Sequence, residues 1–185
     1  MIFDLIERRR SVFPAQYNDR PIADKEIETI LEAANWAPSH KRTEPWRFKV
    51  VTGNAKIRLG EFMAAVYEKH TAKPKKIKTK KIIDKARQSA VIIAICMQRD
   101  PEERLPEWEE IAATAMAVQN MWLGCVELGI GCYWSSPSII KYMDGFFDLQ
   151  AGEQCLGFLY MGYFDEPIEA GQRRPFRDKV SWIRD

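Results

Sequence analysis

The chain has 185 residues, enough for one domain whose core buries roughly two-thirds of the unfolded surface. Hydrophobic residues make up 46% and charged residues 29%, globular proportions that exclude a disordered chain and a membrane span. A formal net charge of +2 is too small for a whole-protein field to drive binding to nucleic acid or anionic lipid.

Ile2, Phe3, Leu5 and Ile6 recur at helical spacing opposite Asp4, Glu7 and Arg8, which predicts a short helix over residues 2 to 9 with a cationic last turn. Asp4 and Glu7 break the apolar run before it could act as a signal peptide, so a cytoplasmic protein is expected. A second helix opens at residues 23 to 27 with Asp24 as N-cap, carries Ile27, Ile30, Leu31 and Ala34 as its stripe, and stops at Pro38. Residues 46 to 52 alternate and are rich in aromatic and β-branched side chains, a strand pattern, and Gly53 and Asn54 start a helix over roughly 55 to 70. The lysine-rich segment 71 to 85, which includes Pro74, reads as an exposed basic excursion.

Residues 91 to 96 form a wholly apolar run of the kind shown by a strand covered on both faces. Residues 107 to 128 give the longest helical pattern, apolar around nearly its whole circumference. Glu109, Glu110 and Glu127 exclude a membrane helix, so its surplus apolar face is expected to meet a second subunit. A Gly129-x-Gly131 turn leads into a further strand, Ser135-Ser136-Pro137 opens a helix ending near Phe147 with a serine as N-cap, and residues 155 to 163 form the last strand. Residues 165 to 185 read as a C-terminal arm anchored by Phe176 and Trp182.

Several chemistries find no foothold. Cys96, Cys125, Cys132 and Cys155 lie in apolar surroundings without metal-type spacing, which predicts buried reduced thiols. His40 and His70 share no ligand spacing with each other or with cysteine. Gly129-x-Gly131 precedes a strand where a dinucleotide fingerprint would follow one, and neither a nucleophile elbow nor a P-loop is present. The lysines between 73 and 81 lack interleaved aromatics, so a solvated lid is preferred to a nucleic-acid surface.

Two stretches remain. Arg8-Arg9-Arg10-Ser11 ends the first helix with guanidinium forks and a hydroxyl suited to a phosphate, although spacing alone fits a solvated helix end more often. Residues 36 to 48, Trp-Ala-Pro-Ser-His-Lys-Arg-Thr-Glu-Pro-Trp-Arg-Phe, form a rigid, polar, aromatic-flanked loop between helix and strand. Together they resemble the flavin-binding signature of the nitroreductase family, FMN-dependent NAD(P)H oxidoreductases. Pro38-Ser39-His40-Lys41 is similar to the loop of a small subfamily with minimal FMN enzymes. Glu44 and Arg42 depart from the Gln and Asn more usual there.

The resemblance implies an α+β fold with a central, mostly antiparallel sheet wrapped by helices, closed as an intertwined homodimer with FMN at the interface. It implies phosphate contacts from Arg9, Arg10, Ser11 and Arg173, and ring contacts from backbone amides at Ser135, Ser136 and Pro137. Trp36, Ser39, His40 and Arg42 would reach the partner's flavin, and Trp36, Tyr133 and Trp134 could line the slot beside it. It also implies ping-pong hydride transfer through flavin N5 from NAD(P)H to a nitroaromatic, quinone or similar small acceptor, with no protein nucleophile. A flavin-binding or flavin-processing protein without turnover is the first alternative.

Overall fold

The structure, a computed structural model, describes residues 1 to 166 and 168 to 184. Among the described residues, four strands form one sheet in the order β1-β2-β4-β3, every neighbour antiparallel. These are β1 (Trp46–Val51), β2 (Val91–Gln98), β3 (Ile130–Ser135) and β4 (Glu153–Tyr163). Six α-helices accompany them: α1 (Ile2–Arg8), α2 (Asp24–Asn35), α3 (Gly53–His70), α4 (Lys76–Gln88), α5 (Glu107–Glu127) and the single-turn α6 (Asp144–Phe147).

The apolar run of β2 follows from the layering. Val91, Ile93 and Ile95 point into a core shared with α2 and α5, while Ile92, Ala94 and Cys96 point into a second core shared with α3 and α4. With helices on both faces, neither set of alternate residues meets water, so the strand has no polar side. Strand β4 repeats the division, Leu159 and Met161 facing one core and Phe158 and Tyr160 the other. Its register with β2 slips by one residue at Ile95/Cys96, where Gly157 (φ +147°) pairs with Ile95 and Cys155 with Cys96, leaving Leu156 unpaired in the ladder. All four cysteines are free and buried.

Three expectations need correction. The basic segment is irregular only as far as Lys75. From Lys76 it is helix α4, which lies on α3 through Ile82, Ile83 and Ala86, so closely that a Cβ on Gly60 would fall 2.7 Å from the Ala86 methyl. On helix α5, Ala113, Ala117, Val118, Met121 and Cys125 make the buried stripe, while Trp108, Ile111 and Met116 of the surplus apolar face are exposed on this chain. Helix α2 begins at Asp24, and its N-terminal Ala23 N–H is satisfied by the Glu26 carboxylate rather than by a cap from Asp24. Ser135 ends β3, and the 3-10 turn after it is capped by Pro137 without a side-chain bond, so neither serine is an N-cap.

In the C-terminal arm, Phe176 and Trp182 find no surface on their own chain, at 61% and 68% exposure. Helix α1 likewise leaves Ile2, Phe3 and Ile6 uncovered. Among the described residues, no helix is long and apolar enough to cross a membrane.

Candidate flavin site

The segment after α1 is laid along β3. Val12 N–H donates to the Cys132 carbonyl at 3.1 Å, and the Tyr17 hydroxyl donates to the Val12 carbonyl at 2.7 Å, with the Tyr160 carbonyl a second acceptor at 2.9 Å. Gly131 makes the close approach possible, since a Cβ there would meet Val12 and Phe164 at 2.8 Å. This docking sets where Arg9 sits. Its guanidinium lies 4.7 Å from the centre of the Trp122 ring on α5, a cation–π contact.

The Arg9 pKa is pushed down, first by burial, then by the neighbouring charges of Arg173 and Arg10. Neither Arg9 nor Arg173 forms an ion pair among the described residues. A half-buried guanidinium with cationic neighbours and no carboxylate is electrostatically unfavourable unless an anion joins it. Ser11 is exposed beside it in the chain.

Arg10 does something else. Its Nη1 donates to the Glu7 carbonyl at 2.5 Å and the Arg9 carbonyl at 2.8 Å, closing the end of α1. Gly171 of the arm packs on it so tightly that a Cβ there would fall 2.4 Å from the guanidinium carbon. One nitrogen of the fork expected to face a phosphate is thus committed to the backbone, while its Nε is buried without a partner among the described residues.

Along β3 from Cys132, beside Arg9, three residues lead to Ser135, a distance of roughly 10 Å at strand rise. Ser135 and Pro137 line a cleft of about 300 Å³ whose other wall is α4, with Tyr67 and Tyr160 beneath and Lys78, Lys81 and Lys85 at the rim. Lys85 Nζ also lies 5.1 Å from the Tyr133 ring, which packs on Phe13 at 4.7 Å. Ser136 is exposed between them. Sequence reasoning missed these lysines as site residues, although 78, 81 and 85 share one face at helical spacing and could have been found had the helix been recognised. Trp134, expected in the slot, instead packs with the α2/α5 core against Gly157.

Trp36, Ser39, His40 and Arg42 gather elsewhere. Trp36 ends α2 at 80% exposure. The following loop takes left-handed backbone at Lys41 (φ 52°), Arg42 (φ 54°) and Glu44 (φ 43°), conformations that cost non-glycine residues about 1 kcal/mol or more each. Polar contacts hold it. Ser39 Oγ accepts the Glu44 N–H at 3.3 Å, Lys41 Nζ donates to the Arg104 carbonyl at 3.1 Å, and His40 Nδ1 meets Glu109 Oε2 at 2.7 Å. Arg47 donates to the Glu44 carbonyl at 2.9 Å, leaving the Glu44 carboxylate without an ion pair among the described residues.

Beneath that loop, the start of α5 is fixed by charge. Glu110 is fully buried, pairs with Arg99, and accepts the Asp100 N–H at 2.9 Å. Arg104 grips Asp100 through two nitrogens at 2.7 and 3.0 Å and holds its carboxyl down at about 2, chiefly through those hydrogen bonds.

One helix thus carries both groups, Glu109 under His40 and Trp122 under Arg9. The thirteen helical steps from one to the other span roughly 20 Å. Within one chain, then, the His40 loop and the Arg9 cluster stand at opposite ends of α5, farther apart than Arg9 is from Ser135.

Residues 6–163 match the model of the nitroreductase family. The chain is 32% identical over 181 residues to YfhC of Bacillus subtilis (strain 168), named as a putative NAD(P)H nitroreductase, covering 96% of this chain and 92% of that one. Its fold is similar to that of a nitroreductase-like family protein from Bacillus cereus, with TM-score 0.84, 30% identity, and 99% and 96% of the two chains covered. A Desulfovibrio desulfuricans protein solved in complex with FMN is similar at TM-score 0.73 and 25% identity, over 97% of this chain and 94% of that one. With a sheet order, a helix layering and a matched span of this extent, the chain belongs to the nitroreductase family.

Proposed function

We propose that this chain is an FMN-dependent NAD(P)H oxidoreductase, one nitroreductase-like domain working as a homodimer, that reduces nitroaromatics, quinones or similar small conjugated acceptors. The observation that carries the reading is the desolvated Arg9 guanidinium beside Arg173, with no carboxylate paired to either among the described residues. Arg9, Arg173 and the Ser11 hydroxyl would hold the FMN phosphate, with Arg10 bracing the helix end that presents them. Bound FMN would supply a reversible hydride carrier.

The chain's own residues have simpler tasks. The backbone N–H groups of Ser135 and Ser136 would face the ring edge if the phosphate is at Arg9, with Pro137 stiffening the turn after them, and Lys81 and Lys85 would place positive charge near the ring as it gains electrons. Tyr67 and Tyr160 keep the floor of that cleft apolar. No side chain need act as nucleophile.

Geometry within one chain supports the homodimer. His40 stands over Glu109, roughly 20 Å along α5 from the Trp122 that holds Arg9, so in this reading it serves the flavin of a second copy, with Ser39 and Arg42 of the same loop and Trp36 before it. The uncovered apolar faces of α1 and α5, and the arm with Phe176 and Trp182, supply surface for such an association.

The test is direct. Purified with FMN, the protein should be yellow, and NAD(P)H added without oxygen should bleach its absorbance until an acceptor restores it. Arg9→Ala should weaken FMN binding by about tenfold or more, the size expected for charge-assisted bonds to phosphate, with the thermal midpoint of the flavin-free chain unchanged. A colourless protein that NAD(P)H leaves untouched, or unaltered FMN affinity in the variant, refutes the assignment.

A further inference from the structure

The contact between His40 and Glu109 has no role in the function proposed above. It joins the 39–44 loop to the first turn of α5 at 2.7 Å, through the Nδ1 atom of the imidazole. Glu109 is the more sheltered partner, its side chain 24% exposed against 60% for His40. Nε2 of His40 has no partner among the described residues. The charged groups around the pair are Lys41, Arg42 and Glu44 of the same loop and Arg104 just before α5, whose carbonyl holds Lys41.

We propose that Glu109 is a positioning residue for His40. Its carboxylate accepts the Nδ1–H, which fixes both the ring orientation and the tautomer and leaves Nε2 as the single imidazole atom presented to the coenzyme of a second copy. A carboxylate cannot donate a hydrogen bond when ionised, so the proton between the two must belong to Nδ1. An imidazole held this way offers a lone pair at Nε2 when neutral and a donor when charged. Either form engages a polar ring edge without searching rotamers.

Glu109 is well placed for the task. The residue after it, Glu110, is paired with Arg99 and accepts the Asp100 N–H, so the carboxylate of Glu109 rises from a turn of α5 that is tied to the segment before it. The loop, by contrast, holds three left-handed non-glycine residues and would relax if released. Glu109 and the Lys41 bond to Arg104 are its side-chain ties to α5 and the turn before it. The inference rests on the proposed flavin function for what Nε2 faces, but not for the tautomer.

Two measurements on the full chain test it. The sequence has only two histidines, so long-range proton–nitrogen spectra at alkaline pH separate His40 from His70 by a single substitution. His40 should carry its proton on Nδ1 in the wild-type chain without FMN, keep it there in Glu109→Gln, whose amide oxygen still accepts, and lose that preference in Glu109→Ala. FMN titrations should then show Glu109→Ala and His40→Ala each weakening affinity, with the double variant no worse than His40→Ala, a departure from additivity of about fivefold, as for residues in contact.

A wild-type His40 protonated on Nε2, or additive losses in the double variant, overturns the positioning role. Failure of the wild-type chain to bind FMN instead overturns the proposed function, and the coenzyme-facing role with it, whatever tautomer His40 holds. Thermal melts accompany each variant, and a Glu109→Ala chain that melts early while Glu109→Gln keeps both tautomer and affinity still supports the proposal.

Discussion

The centre of the sheet and the 39–44 loop are built on opposite principles. In β2 and β4, each residue has the backbone its side chain prefers, and Ile92, Ile93, Ile95, Phe158 and Leu159 are fully buried between two helical layers. In the loop, three of four consecutive-range residues are forced into left-handed backbone, their side chains are exposed, and a few hydrogen bonds keep them there. The core holds its shape by many weak contacts that agree. The loop holds its shape by a few strong contacts that outweigh its own preferences, which is the economy expected where a side chain must be aimed rather than buried.

Three substitutions would break or sharpen the contrast. Phe158→Ala, in the centre of the α3/α4 core, should cost about 3–5 kcal/mol and lower the denaturant midpoint of the whole chain, because the close-packed layers cannot collapse onto the space left. In the loop the sign should reverse. Arg42→Gly should stabilise the flavin-free chain by about 1 kcal/mol, read by chemical denaturation, since glycine takes φ 54° without strain. The same change should weaken whatever the loop holds, so a gain in stability accompanied by a loss in FMN affinity is the expected pairing.

The smallest effect concerns Asp100, which ties the platform under the loop. Its folded-state pKa of about 2 lies below the ordinary value of 3.8, so the unfolded chain binds the proton more readily as acid is added. The stabilisation is fully present above about pH 4 and fades as pH falls toward about 2. Asp100→Asn should lower the thermal midpoint at neutral pH and flatten its slope across that acid window. An unchanged slope would show that Arg104 does not hold the carboxylate.

Much of this was legible in the residues, and unevenly so. The uninterrupted apolar run of 91–96 announced a strand covered on both sides because no other environment tolerates it. The span of α2 was legible from its stripe and Pro38, and the strand 46–51 from its branched and aromatic residues. Helix α4 was not, because lysine density masks the short stripe of Ile82, Ile83 and Ala86 that seats it on α3.

For the site, the pattern Arg-Arg-Ser pointed to two equivalent forks, whereas the structure gives the two different surroundings. Nothing local distinguishes Arg9 from Arg10; the difference arises when Trp122 takes one guanidinium and two backbone carbonyls take the other. Glu109 was equally silent, since its partner lies 69 positions away in sequence. Long-range pairings of this kind are written in the fold and not in any window of residues.

Helix α5 acts as a ruler. Because it seats Glu109 at one end and Trp122 at the other, adding one residue anywhere between them would swing the two ends by about 100° relative to each other and lengthen the gauge by about 1.5 Å. Amino-acid replacements along its exposed flank leave the calibration untouched, whereas a single insertion or deletion spoils it. In lineages descended from this chain, that stretch can therefore drift in spelling while its letter count stays frozen.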